Sequence, residues 1–170
     1  INDWNDLDDI RNDLSGDYYL GNDLDEDTAG YDTHVDGGWT PLGDRNTYFT
    51  GSFDGQGYTI SNLHIDSTQD DVGLFGSSDS ADFSNVALID IDVYGGGTNT
   101  GGLVGWLNNS GVVENVFVTG MVGGVRLGAI TGQVDGSSTV KNCYSSGNIS
   151  GGGAVGGLIG SYLSMKSKKF

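Results

Sequence analysis

The sequence predicts an all-β solenoid, short strands wound rung upon rung, opened by a short helix. Three observations predict it. An asparagine recurs in one frame of neighbours four times: Ile60-Ser61-Asn62-Leu63-His64-Ile65, Phe83-Ser84-Asn85-Val86-Ala87-Leu88, Val113-Glu114-Asn115-Val116-Phe117-Val118 and Val140-Lys141-Asn142-Cys143-Tyr144-Ser145. An apolar step framed by glycines follows each copy: Gly73 to Gly76, Gly102 to Gly105, Gly128 to Gly132 and Gly157 to Gly160. The closing glycines are 29, 27 and 28 residues apart, the asparagines 23, 30 and 27. A period of this size marks a repeat architecture in which each unit buries its apolar face against the next.

Period-two alternation flanks every asparagine, which predicts strands on both sides. The parity slips by one at the asparagine itself, so the chain turns a corner there. Asparagine suits a corner because it tolerates the left-handed region and bonds its own backbone. Stacked at one corner, Asn62, Asn85, Asn115 and Asn142 are expected to form an amide ladder from rung to rung.

Taken in order, residues 1–16 read as a capping helix. Trp4, Leu7, Ile10 or Arg11, and Leu14 have helical spacing, Asn2 or Asp3 supplies the cap, and Gly16 stops it. Tyr18-Tyr19-Leu20 then reads as a first strand running into the acidic turn Asn22-Asp23-Leu24-Asp25, and residues 26–38 read as loop. Rungs are expected over 17–160. The basic stretch 161–170 breaks the pattern and reads as a tail or C-terminal cap, with the whole of 1–170 one domain and compatible with a fragment of a longer protein.

The motifs Asn-Asp-Leu-Asp (22–25), Trp39-x-Pro41-Leu42-Gly43, Phe49-x-Gly-Ser-Phe53-Asp-Gly-x-Gly57-x-x-Ile60-x-Asn62-Leu63 and the repeated Gly-Leu-x-Gly steps resemble bacterial and archaeal surface proteins that carry the GLUG motif. The resemblance covers about Asp3 to Gly160. It implies a right-handed parallel β-helix in a secreted or surface-attached protein, often an adhesin. The step Gly128-Ala129-Ile130-Thr131-Gly132 departs from the motif, as does the tail.

Charge narrows the partners. The formal net charge is −16, and it is uneven: residues 1–92 carry 20 aspartates and Glu26 against Arg11 and Arg45, whereas 93–170 carry two acids against five basic residues. So acidic a chain lacks the clustered cations that nucleic acid requires. A hydrated acidic surface accounts for most of the aspartates. No apolar run has the length of a membrane span. The single cysteine, Cys143, excludes an internal disulfide and reads as a small buried hydrophobe.

Two places remain where binding could sit. Asp23, Asp25 and Asp27 alternate in a turn and form a candidate Ca2+ site, although Thr28 and His34 stand where an EF-hand needs glycine and glutamate. Asp66, Asp70 and Asp71 form a second, weaker cluster. An outward row of His64, Ala87, Phe117 and Tyr144 is expected in register along one face, where exposed aromatics stack on sugar rings or meet a partner protein. Asp90, Asp92 and Asp54 are the carboxylates an enzyme would draw on, and none has an evident partner. The sequence therefore favours a non-catalytic, adhesin-like display module for an extracellular glycan or protein. The alternative is a polysaccharide lyase or hydrolase, or its carbohydrate-binding part.

Overall fold

The computed structural model describes residues 1–163. The chain forms a parallel β-helix whose turns contribute to three sheets, every strand pairing among them parallel. The first sheet stacks Asp17–Tyr19, Ser52–Asp54, Asp82–Ser84, Val112–Glu114 and Thr139–Lys141. The second is built around the long strands Ala87–Gly101, Phe117–Gly128 and Tyr144–Gly151, with Thr59–Ser61, His64–Ser67 and Asp71–Val72 on its earlier edge. The third stacks Phe75–Asp79, Val104–Asn108, Thr131–Asp135 and Ile159–Leu163.

The stacked register gives the core as rows of equivalent side chains. Phe53, Phe83, Val113 and Val140 lie one above another, as do Ile65, Val93, Val122 and Ile149. Phe75 is fully buried among Phe49, Phe53 and Phe83, with ring centroids 4.7, 5.3 and 4.9 Å away. Such offset and edge contacts are favoured by the ring quadrupoles in addition to the area they bury.

The glycine step is explained by crowding. A Cβ on Gly105 would lie 2.5 Å from the Val72 nitrogen and 2.7 Å from the Asp71 carbonyl carbon, and one on Gly132 would lie 2.5 Å from the Thr100 nitrogen. Only glycine lets the chain cross the previous rung so closely. The register also accounts for the departure at Gly128–Gly132. Gly101, Gly128 and Gly156 are partners, as are Val104, Thr131 and Ile159, so the frame is five residues long from the second copy on, and Ala129 takes the place of Gly102 and Gly157.

At the start, Trp4–Asp8 is α-helical and Asp9–Asn12 continues as a 3-10 turn. Asp3 caps it, its Oδ1 accepting from the Asn5 and Asp6 amides at 2.9 Å. Trp4, Leu7 and Ile10 are fully buried, and Trp4 packs on Trp39 and Tyr31. Residues 26–38 are not all loop: Tyr31–His34 makes one helical turn, held by the Tyr31 hydroxyl, which donates to the Asn62 carbonyl. The strand Ile159–Leu163 runs past Gly160, so residues 161–163 belong to the third sheet rather than to a tail. The rest of that stretch lies outside the described residues.

Candidate functional site: a groove over the asparagine corner

Asn85, Asn115 and Asn142 occupy one corner, each left-handed, with φ of 54°, 56° and 53°. Asn115 Nδ2 donates to Asn85 Oδ1 at 3.1 Å, and Asn85 Nδ2 donates to Asp54 Oδ1 at 3.0 Å. Asp54 is thereby drawn into the row. Burial opposes its ionisation, but hydrogen bonds from Asn85, Gln56 and Ser84 outweigh it and hold the carboxyl below the usual aspartate range.

Asn62 does not stand in this row. Asp54 pairs with Ser84, so Gly55 is the residue beneath Asn85, and the Gly55 amide donates to the Ser84 carbonyl at 2.8 Å. Asn62, with φ of 57°, turns a different corner. Its amide nitrogen donates to the Ile89 carbonyl at 3.0 Å, its side chain donates to Glu26 at 3.1 Å, and left-handed Asp90 is the next residue of the rung above. The short step of 23 residues from Asn62 to Asn85, against 30 from Asn85 to Asn115, was the signal.

The outward row changes accordingly. Tyr144, Phe117 and Ala87 are in register, but the next partner is Thr59 and not His64. His64 pairs with Asp92, its Nδ1 lying 3.6 Å from Asp92 Oδ2. Phe117 and Tyr144 stack with centroids 4.2 Å apart and planes at 23°. Tyr144 is 61% exposed. Together with the asparagine corner these residues line an open groove of about 370 Å³ that crosses four rungs, from Gly57 through Asn85 and Asn115 to Tyr144. Beside it Glu114 and Lys141 form an ion pair across neighbouring rungs. Such an exposed pair contributes little stability.

Cys143 stacks beneath this groove after Val86 and Val116, half-buried. Burial pushes its thiol up, and the thiol donates to the Lys141 carbonyl at 3.0 Å, which suits a packed, protonated sulfur.

The other acidic candidates are not brought together. Asp23 Oδ1 accepts from the Thr59 amide at 2.7 Å, while Asp25 Oδ1 accepts from Thr28 Oγ1 at 2.7 Å and the Asp27 amide at 3.1 Å. Asp23 is tied to the next rung and Asp25 closes its own turn, and among the described residues no three acidic, histidine or cysteine side chains gather as a set of metal ligands. Asp90 and Asp92 do not share a face, because Asp90 sits in the left-handed corner, where its amide bonds Thr119 Oγ1.

Asp71 has a role that the sequence did not reveal. It is 5% exposed. Its carboxylate accepts from Arg45 Nε at 2.8 Å, Arg45 Nη2 at 2.9 Å, Ser77 Oγ at 2.7 Å and Asn99 Nδ2 at 2.7 Å. The chain of bonds continues through Arg126 and Gln133 to Asp135, which accepts from Trp106 Nε1. Asp71, Asn99 and Arg126 are register partners or near-partners ahead of each glycine step, and their recurrence at 28 and 27 residues was the legible trace.

Two curated proteins are similar to part of this chain. Over 111 residues, 62% of the chain, it is 44% identical to halomucin of Haloquadratum walsbyi. Over 116 residues, 66% of the chain, it is 35% identical to a protein described as a Gly-rich membrane protein in Evansella cellulosilytica. The matched segments are 1% and 13% of those proteins, so the chain spans a small fraction of the curated relatives it matches. No family model matches the chain, the GLUG motif included, and no solved structure matches it. Among the described residues no helix is long and apolar enough to cross a membrane.

Proposed function

We propose that this chain is a secreted or surface-attached, adhesin-like module, a rigid β-helix that holds a glycan-binding groove without catalysing a reaction. In this reading residues 1–16 cap a single domain whose rungs follow. The observation that carries it is the Phe117–Tyr144 stack, open to solvent and bordered by the Asn115 and Asn142 amides. An aromatic face beside amide donors and acceptors offers apolar contact and hydrogen bonds together, which is what a sugar ring requires. The similarity to halomucin and to a Gly-rich membrane protein supports a place at the cell surface. Stacked rungs keep groove residues at fixed spacing, so affinity accrues by repetition along a face.

The test is incubation of the chain with soluble and insoluble polysaccharides and whole cells, with and without chelator, following both retention of protein and release of sugar ends. Retention without released ends, insensitive to chelator, is the expected result. Released ends that disappear when Asp54, Asp90 or Asp92 is changed to asparagine would make this an enzyme and overturn the reading.

A further inference from the structure

We infer that the gap over Ala87 is a subsite for one neutral pyranose ring, which completes the aromatic stack begun by Tyr144 and Phe117. The inference rests on the glycan-binding reading above and specifies its ligand.

Thr59, Ala87, Phe117 and Tyr144 are successive members of one outward row. The 4.2 Å between the two rings is close to the spacing of neighbouring strands, about 4.7–4.9 Å. The rings therefore lie face to face along the axis of the solenoid, and the second face of Phe117 is turned toward the Ala87 rung. Ala87 carries only a methyl group, and both it and Phe117 line the open groove. Beyond it, Thr59 is held down by its hydroxyl, which donates to Asp23 Oδ1 at 3.1 Å. From the Thr59 strand to the Phe117 strand is two spacings, about 9–10 Å. One flat ring fits between them.

The rim selects the kind of ring. Asn85 is occupied on both sides, accepting from Asn115 and donating to Asp54. Asn115 Oδ1 and the amide of Asn142 make no hydrogen bond with other described residues, and both side chains are exposed, so they are free to meet hydroxyls. An aromatic ring from a protein partner would use the Phe117 face and leave these amides unmatched. A pyranose presents C–H groups on its face and hydroxyls at its edge, and it matches both. Charge decides the rest: Asp54 is bonded to Asn85 and Asp23 to Thr59, the residues at the near end of the row, and the chain carries −16 overall. Uronates and sulfated sugars are repelled.

The experiment is a calorimetric titration of the whole chain with neutral and uronate-containing oligosaccharides. It compares the wild type with Ala87→Phe, which fills the slot, Phe117→Leu, which removes the face, and His64→Ala, outside the row, as the control. Circular dichroism and thermal unfolding confirm the fold of each. Wild type and H64A should bind the neutral series alike, with A87F and F117L weakened about tenfold or more, the scale of one lost aromatic contact. Binding retained by folded A87F would overturn the slot while leaving the adhesive reading intact. Preference for uronates would overturn the neutral ligand, and a wild type that binds no oligosaccharide would overturn both.

Discussion

The rungs between Phe49 and Phe83 and those after Thr139 share one backbone frame but fill it differently. In the earlier rungs the inward rows end on Phe53, Phe83, Ile60 and Ile65, all fully buried. In the last described rung the same rows hold Val140, Ser145 and Ile149, each half-buried, and Val155, which is exposed. Large side chains are still present there, but they point out: Tyr144 stands in the groove and Tyr162 is exposed. The frame needs only glycine where strands cross and a left-handed residue at the corner, so it survives in both regions. Stability follows the inward rows, and recognition follows the outward ones.

The largest effect should come from the aromatic cluster. Phe75→Ala should cost about 3–5 kcal/mol in denaturant unfolding, because Phe49, Phe53 and Phe83 cannot close the cavity. Val140→Ala, at a half-buried position of the last rung, should cost about 1 kcal/mol. Equal losses at the two sites would break the comparison. Next comes Asp71→Ala, which leaves Arg45, Ser77 and Asn99 donors without their acceptor. A loss of about 3 kcal/mol is expected from the same unfolding measurement; a neutral outcome would mean that water replaces the carboxylate.

Corner geometry should matter less. Asn115→Ala must hold φ of 56° and should cost about 1–2 kcal/mol, whereas Asn115→Gly should recover most of it. If alanine and glycine behave alike, the amide row rather than the backbone carries the effect. Smallest and most spread out is the acid response. Asp44 is held below the ordinary aspartate range by the Asn46 and Thr47 amides, and Asp54 by its hydrogen bonds despite burial. With folded values lowered, their stabilisation is complete above about pH 4 and is lost as pH falls through the folded values. Acid unfolding of Asp54→Asn should therefore show a weaker pH dependence than wild type below pH 4.

The rung period was legible because a solenoid must return to the same backbone crossing each turn, and glycine is the one residue that permits it. Helix Trp4–Asp8 was legible from its cap and spacing. The asparagine row was legible from Asn85 onward, but Asn62 carries the same local frame at a different corner. Local patterning reports that a corner exists; only the strand register says which corner it is. His64 falls outside the row for the same reason, since it follows Asn62 and pairs with Asp92. The Ca2+ candidate does not gather because alternating aspartates serve equally well as acceptors for backbone amides, Asp25 for the Asp27 amide of its own turn and Asp23 for the Thr59 amide of the next rung. The Arg45–Asp71–Asn99 network joins residues of three different rungs; the recurrence of Asp71, Asn99 and Arg126 at the rung period is its one trace in the sequence, and the Arg45 contact leaves none.

The most direct test of this division between inward stability and outward recognition is residue-resolved hydrogen exchange with and without a neutral oligosaccharide. The account predicts slow exchange through Ser52–Asp54, Asp82–Ser84 and Ala87–Gly101 and faster exchange through Thr139–Gly151, with ligand-induced protection confined to residues 85–87, 115–117 and 142–144. Uniform protection along the solenoid, or ligand protection elsewhere than over the asparagine corner, would contradict it.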